Sequence, residues 1–207
     1  FEHLPLECSH LYLAIEGKLA AVICVEDPLR EEAADAVREL KEAGITKVVM
    51  MTGDSERTAA AIAKRVGVDE YYSEVLPEDK ASFVEKEKEL GHKVIMIGDG
   101  INDSLALSSA SVGIAISDGA AIAREIADVT ISADNLHEIV TLKRLSTALM
   151  KRIHNNYRTI IGINGGLIAL GVTGIIMPTT SALLHNMSTL TISLRSMRNL
   201  LPKEEKA

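Results

Sequence analysis

"IGDGINDSLAL", residues 97–107, is the stretch on which the reading of the fold turns. Asp99, Asn102 and Asp103 crowd onto a glycine-loosened turn, directly after the apolar run "KVIMIG" (93–98). An apolar run too short for a helix, followed by glycines and acids, reads as a buried strand with chemistry at its carboxyl end. In open α/β sheets that is where ligands bind. Carboxylates there suit a metal or a phosphate, so the rest of the chain must supply their partners.

Upstream and downstream, strand-like and helix-like runs alternate over residues 10–141. "LYLAIE" (11–16) and "LAAVICVE" (19–26) read as neighbouring strands turning at Gly17-Lys18. A helix over 29–43 follows Pro28 and stops at Gly44. "KVVMMT" (47–52) is a β-branched-rich strand, and "SERTAAAIAKRVG" (55–67) a helix closed by Gly67, with Ser55 or Asp54 at its N-cap. A helix over 77–90 leads to strand 93–98. A short helix from Asn102, strand "SVGIAI" (111–116), helix "GAAIAREIA" and strand "DVTI" complete the cycle. Short apolar strands separated by amphipathic helices predict an α/β fold with a parallel sheet buried on both faces.

Composition narrows the function. The 207 residues are 47% hydrophobic and 25% charged, which is ordinary for a globular chain with a sizeable core. With net charge −7, aromatics at 3% and no Trp, the chain offers neither the basic surface nor the stacking platforms of a nucleic-acid binder. Cys8 and Cys24 are too far apart for a Cys-x-x-Cys metal pair and read as buried thiols.

A second regime starts near Asn135. A basic helix, "LHEIVTLKRLSTALMKRIHNNYR", runs into "TIIGINGGLIALGVTGIIM" (159–177), 19 residues without a charge. As one helix that run would measure about 28 Å, close to the hydrocarbon thickness of a bilayer. Beyond Pro178 comes a weaker apolar stretch, "SALLHNMSTLTISL" (181–194). Lys151, Arg152 and Arg158 flank the first run, and Arg195, Arg198 and Lys203 the second, which places both basic flanks on the cytoplasmic side. The expectation is a two-helix transmembrane hairpin, with spans at about 157–177 and 181–197. His185, Asn186, Ser188 and Thr189 form a polar group within it, costly at membrane depth unless it faces the bundle interior or an ion path.

The partners of the opening stretch are "MTGD" (51–54), whose hydroxyl and glycine turn can face a phosphate, and Lys80 in "PEDK", a mobile positive charge. Asp99 and Asp103 supply hard oxygens suited to Mg²⁺. Together these make a phosphoryl-transfer site that lacks a nucleophile.

The chain resembles the haloacid dehalogenase superfamily and, more closely, the heavy-metal-transporting P-type ATPases. "MTGD", "PEDK" and "GDGINDSLAL" match that family's phosphorylation-domain motifs in order. "VEDPLR" (25–30) resembles the hinge to its nucleotide-binding domain, and "VGIAISDGAAIAREIADVTI" (112–131) the segment that follows.

The resemblance implies a haloacid dehalogenase-like, Rossmann-like fold with a remnant of the nucleotide-binding domain at 1–20. The phosphorylation domain would occupy 21–140, and the membrane hairpin with a short cytosolic tail 141–207. It implies a catalytic set of Thr52, Gly53, Asp54, Lys80, Asn102 and Asp103. Asp27, Arg30, Gly98 and Gly100 would contact nucleotide or cofactor, and Asp99 and Asp103 would hold Mg²⁺. "HNMST" resembles a His-x-Gly-Ser/Thr-Thr segment, with Met187 in place of glycine, so that His185, Asn186, Ser188 and Thr189 would contact the transported ion. An imidazole favours Zn²⁺, Cd²⁺ or Co²⁺-like ions over Cu⁺.

ATP, a heavy-metal cation, the lipid bilayer and the rest of the same pump are the implied partners, and a multi-pass cell-membrane protein with a cytoplasmic phosphorylation domain the implied location. The family's Asp-Lys-Thr-Gly-Thr segment does not occur in these 207 residues. Phe1 therefore reads as a cut end, and the chain alone is expected to be inactive. Leu105 stands where the family has a proline that pre-organises a first helical turn. Two rival readings are a membrane-tethered phosphatase of the same superfamily and a non-catalytic binding protein.

Overall fold

A computed structural model describes residues 9–25, 29–98, 101–116, 121–131 and 135–200. The chain divides into two compact units after Val140.

In the first unit, β1 (Ser9–Ile15) and β2 (Lys18–Val25) form an antiparallel hairpin with Ile15 opposite Lys18. The turn residues are Glu16 and Gly17, both at positive φ (50° and 76°), one position earlier than the sequence predicts. Two successive left-handed residues match the strands' own twist, which is why such turns close hairpins.

Next come α1 (Ala33–Glu42), β3 (Val49–Met51), α2 (Glu56–Val66), β4 (Glu70–Tyr72) and α3 (Pro77–Glu89). They are followed by β5 (Ile95–Gly98), a 3-10 turn (Ile101–Asp103), α4 (Ser104–Ser109), β6 (Val112–Ile116), α5 (Ala121–Ile126) and β7 (Val129–Ile131). The first helix starts four residues later than predicted, because the chain makes a turn at 31–32 that is tied by Ala33 N–H to the Arg30 carbonyl. α2 starts after Ser55, whose hydroxyl pairs with the Thr58 hydroxyl rather than capping a backbone N–H. Gly67 ends the helix at φ 80°, a left-handed cap favoured by glycine.

β3 to β7 pair in parallel, as predicted, but among the described residues not as one sheet. β3 pairs with β4, and β5, β6 and β7 form a separate three-stranded ladder. β3 and β5 therefore each have a ladder partner on one side only among the described residues. The burial follows this split. In β6, Gly113, Ile114 and Ala115 are buried, whereas Val49, Met50 and Met51 of β3 are half-buried and Ile95 of β5 is exposed. The core sits where α4 meets the ladder: Leu107 and Ala115 are fully buried, with Met96 and Ala127 against them. Gly113 permits this close approach, since a Cβ there would lie 2.6 Å from the Leu107 carbonyl oxygen.

In the second unit, α6 (His137–Val172, which begins in the first unit) and α7 (Pro178–Ser196) are joined by a turn in which Gly174 adopts φ 72°. Among the described residues no helix is long and apolar enough to cross a membrane. The expected first span ran to 177, but α6 stops at Val172, so the uncharged run is shared between helix and turn. The last 18 residues of the helix then include Asn155, Asn156 and Arg158.

Candidate functional site

The site residues lie at the carboxyl ends of β3 and β5. Thr52 follows β3, and its hydroxyl donates to the Asp54 carboxylate at 2.7 Å while Asp54 N–H donates back to the Thr52 oxygen at 3.1 Å. This closes a tight, exposed turn around Gly53. Thr52 N–H donates to the Tyr72 carbonyl, Glu74 N–H to the Asp54 carbonyl, and Val75 N–H to the Thr52 carbonyl. The turn is thus pinned to the segment that launches α3.

Leu76 is the N-cap of α3, and the Asp79 carboxylate accepts its N–H at 3.2 Å. One residue later Lys80 leaves the helix's first turn and donates to Asp103 Oδ1 at 2.8 Å. Both side chains are largely shielded, at 15% and 11% exposure. The sequence placed Lys80 and Asp103 in one site but did not foresee that they pair directly. A charge-assisted bond of this kind contributes about 1.5–3 kcal/mol. Asp103 belongs to the few buried polar residues of the described chain.

Gly98 explains how Asp103 gets there. A Cβ at Gly98 would lie 2.6 Å from Asp103 Cβ and 2.8 Å from Oδ2, so the end of β5 must be bare for the carboxylate to fold back over it. Gly98 is thereby a cradle for Asp103. Asn102 sits in the 3-10 turn and is exposed.

Asp27, Asp99 and Gly100 lie outside the described residues. Arg30 is exposed and pairs with Glu32 at 3.9 Å. Among the described residues no three His, Cys, Asp or Glu side chains gather to hold a metal. Asp103 is nonetheless the right chemistry for Mg²⁺: a hard carboxylate with Oδ1 engaged by Lys80 and Oδ2 turned over bare Gly98.

Next to this site, Glu56 accepts from Ser73 Oγ at 2.5 Å and Tyr71 Oη at 2.7 Å, which hold its carboxyl below the usual glutamate range. The Glu56 carboxylate raises the Tyr71 phenol in return. Lys41 and the Val48 N–H do the same for Asp69 as the two hydroxyls do for Glu56. Lys47 holds Glu70 low and is itself raised by it. These contacts tie β4, which sequence patterning missed, to the start of β3 and to α1 and α2. They bracket the Thr52 turn from the β4 side. β4 escaped notice because Glu70–Tyr72 is short and polar.

In the helical unit, His185 Nδ1 meets Asn164 Oδ1 across the hairpin at 2.9 Å. Ser188 and Thr189 turn back instead, donating to the His185 carbonyl at 2.7 and 3.1 Å. Ser188 and Thr189 of the predicted four thus bond within their own helix. Three members share a helix face at i, i+3 and i+4, Asn186 lies one residue round from it, and Asn164 joins from the other helix. Asn164 was hidden in the uncharged run, where a lone amide reads as tolerated rather than functional.

Residues 3–111 match the haloacid dehalogenase-like hydrolase family. The zinc-exporting P-type ATPase of Mycobacterium marinum is 37% identical over 189 residues, 91% of this chain and 26% of the relative. Copper-transporting ATPase 2 of Rhizobium meliloti is 44% identical over 176 residues, 85% of this chain and 21% of the relative. The manganese-exporting P-type ATPase of Mycobacterium tuberculosis is 38% identical over 91% of this chain and 26% of its own length. A crystal structure of a zinc-transporting PIB-type ATPase in the E2.Pi state superposes with TM-score 0.83 at 30% identity, covering 95% of this chain and 32% of that one. The chain thus spans about a quarter of the length of the curated relatives it matches.

Proposed function

Because the chain belongs to the haloacid dehalogenase-like hydrolase family, we propose that it is the phosphoryl-handling and terminal helical part of a heavy-metal-exporting P-type ATPase. The observation that carries this is the shielded Lys80–Asp103 pair, held beside the Thr52 turn by hydrogen bonds that run through Val75 and Leu76. Phosphoryl transfer needs positioning and charge neutralisation more than covalent chemistry from the protein. Lys80 offers the positive charge, and the Thr52 hydroxyl a donor once it rotates from Asp54 to a phosphoryl oxygen. Gly53 offers a backbone N–H with no side chain in the way, and Asn102 an exposed amide. Asp103, with Asp99, would hold Mg²⁺, which when bound neutralises phosphate charge and orients its oxygens. Asp27 and Arg30 would serve the approach of ATP.

The acceptor aspartate of the reading would arrive on a further strand, and the sides of β3 and β5 that have no ladder partner among the described residues offer backbone groups for one. The α6–α7 hairpin would be the membrane part. Its support is an apolar exterior: Ile168 (68% exposed), Val172 (84%) and Leu183 (62%) face outward, and α7 buries nothing. The three same-face groups His185, Ser188 and Thr189, with Asn164 opposite, would meet the transported cation. An imidazole with oxygen neighbours favours a Zn²⁺-, Cd²⁺- or Co²⁺-like ion over Cu⁺. The location would be the cell membrane, with the α/β unit in the cytoplasm.

Complementation tests the reading. The chain is mixed with a separately made polypeptide carrying an Asp-Lys-Thr-Gly-Thr segment, and label transfer from γ-labelled ATP in Mg²⁺ is followed. Transfer that needs both pieces, and is lost in Asp99→Asn and Lys80→Met, supports it. A chain that binds phosphate yet never supports transfer would make it a non-catalytic binding module.

A further inference from the structure

Beyond the His185–Asn164 contact, the hairpin carries a second polar junction that no part of the phosphoryl or ion chemistry uses. Arg152 of α6 reaches across to the end of α7. Its Nη1 donates to the Ser196 carbonyl at 3.0 Å and the Arg198 carbonyl at 2.5 Å, and its Nη2 to the Asn199 carbonyl at 2.9 Å. One turn further along α6, Asn156 Nδ2 donates to Ser196 Oγ at 2.7 Å, and that hydroxyl in turn donates to the Ile192 carbonyl at 2.8 Å. The last carbonyls of a helix have no partners within it and carry its negative dipole end. One guanidinium satisfies three carbonyls at once because its donors form a rigid, planar fork.

We propose that Arg152 is a positioning residue that locks the antiparallel register of α6 and α7 and so holds Asn164 against His185. The spacing supports it. Arg152 and Asn164 are twelve residues apart, about 18 Å of helix, and His185 and Ser196 are eleven apart, about 17 Å. The two junctions are therefore rungs of the same register, and a slip of one turn, about 5.4 Å, breaks both. The half-buried positions between them are Asn156, Ile163, Ser188 and Ile192, and the apolar pair alone would specify register weakly. A fixed carbonyl cluster facing a fork of donors accepts a single alignment. The bearing of this lock on ion handling rests on the transport reading above, whereas the lock itself does not.

The test uses the full chain in lipid nanodiscs, with Cys8→Ser and Cys24→Ser. Cysteines replace Asn164 and one of three positions on α7: His185, or Ser181 or Thr189 one turn to either side. A short bis-maleimide reports proximity. With Arg152 intact, cross-linking should favour 185. In Arg152→Ala the 185 signal should fall about tenfold relative to 181 or 189, equivalent to about 1.4 kcal/mol of lost preference. One of those flanking signals should rise, a gain that mere unfolding would not give. Arg152→Lys, with one point of donation, should fall between Arg152 and Arg152→Gln. If Arg152→Ala loses helicity by circular dichroism, the Lys and Gln variants decide by that same order. An unchanged preference for 185 in the Gln or Ala variant overturns the lock. A retained lock in a chain whose longer form never responds to metal would leave the register standing and sink the transport reading alone.

Discussion

Gly98→Ala is a single-methyl change whose cost can be worked from the structure. The new Cβ would sit 2.6 Å from Asp103 Cβ and 2.8 Å from Oδ2, against an ordinary contact of about 3.5–4.0 Å. Asp103 must therefore retreat by about 1 Å, and its bond to Lys80, 2.8 Å in length, breaks or bends. Overpacking of this kind costs about 1–3 kcal/mol, and the charge-assisted bond about 1.5–3 kcal/mol more. Against this, Ala restricts the unfolded chain and returns about 0.4–1 kcal/mol. The net expectation is a destabilisation of about 3 kcal/mol. Urea unfolding followed by tyrosine fluorescence reads the right unit, since Tyr12, Tyr71 and Tyr72 all lie in it and the chain has no Trp. A Tyr157→Phe background removes the fourth tyrosine. Asp103→Gly deletes the colliding atoms, so in that background Gly98→Ala should cost almost nothing. A coupling of at least about 1.5 kcal/mol is expected, well outside the roughly 0.5 kcal/mol scatter of independent sites. Costs that simply add would show that Gly98 is not the cradle of Asp103.

Gly113→Ala should destabilise the same unit by at least as much, because its Cβ meets the Leu107 backbone, which cannot rotate away; the same urea titration checks it. Lys80→Met should weaken phosphate or vanadate binding by more than tenfold in isothermal titration, because it strips the charge from the site and leaves Asp103 shielded and unpaired. Gly67→Ala, at φ 80°, should cost about 1 kcal/mol by the same unfolding assay through strain at the α2 cap. Asp69, Glu70 and Glu56 are depressed by their partners, so the stability they add is present above about pH 4 and lost as pH falls through their folded values. Tyr71 is raised, so its contribution is present below about pH 10 and lost as pH rises through its folded value. Urea midpoints from pH 3 to 11 should therefore plateau in between, and Asp69→Asn should flatten the acid limb.

Much of the α/β unit was legible because its signals are local. Gly67 closes α2, Pro77 opens α3, and apolar runs mark β5 and β6, all readable without knowing what they touch. What was not legible depends on contacts between distant residues. The Lys80–Asp103 bond joins positions 23 apart, and the sheet's division depends on which edges meet, which periodicity does not encode. β4 was missed for lack of apolar alternation, and it is held by the Lys47–Glu70 pair and the Lys41–Asp69 contact instead. In the helices, composition marked a long uncharged run but not the break at Gly174, and spacing grouped Asn186 with His185 although adjacent helical residues face different ways. Asn164 and Arg152 carry pattern-neutral sequence signals, and both acquire a role only when the second helix folds back.

Among the described residues β3 and β5 each leave one side of the strand without a ladder partner, which has a consequence for the chain as a substance. A strand edge recognises backbone, not sequence, and so accepts any extended segment that comes near it. Half-buried Val49, Met50 and Met51 add stickiness to that templating. A solution of this chain should therefore assemble slowly with itself at high concentration. Short extended peptides should retard that assembly.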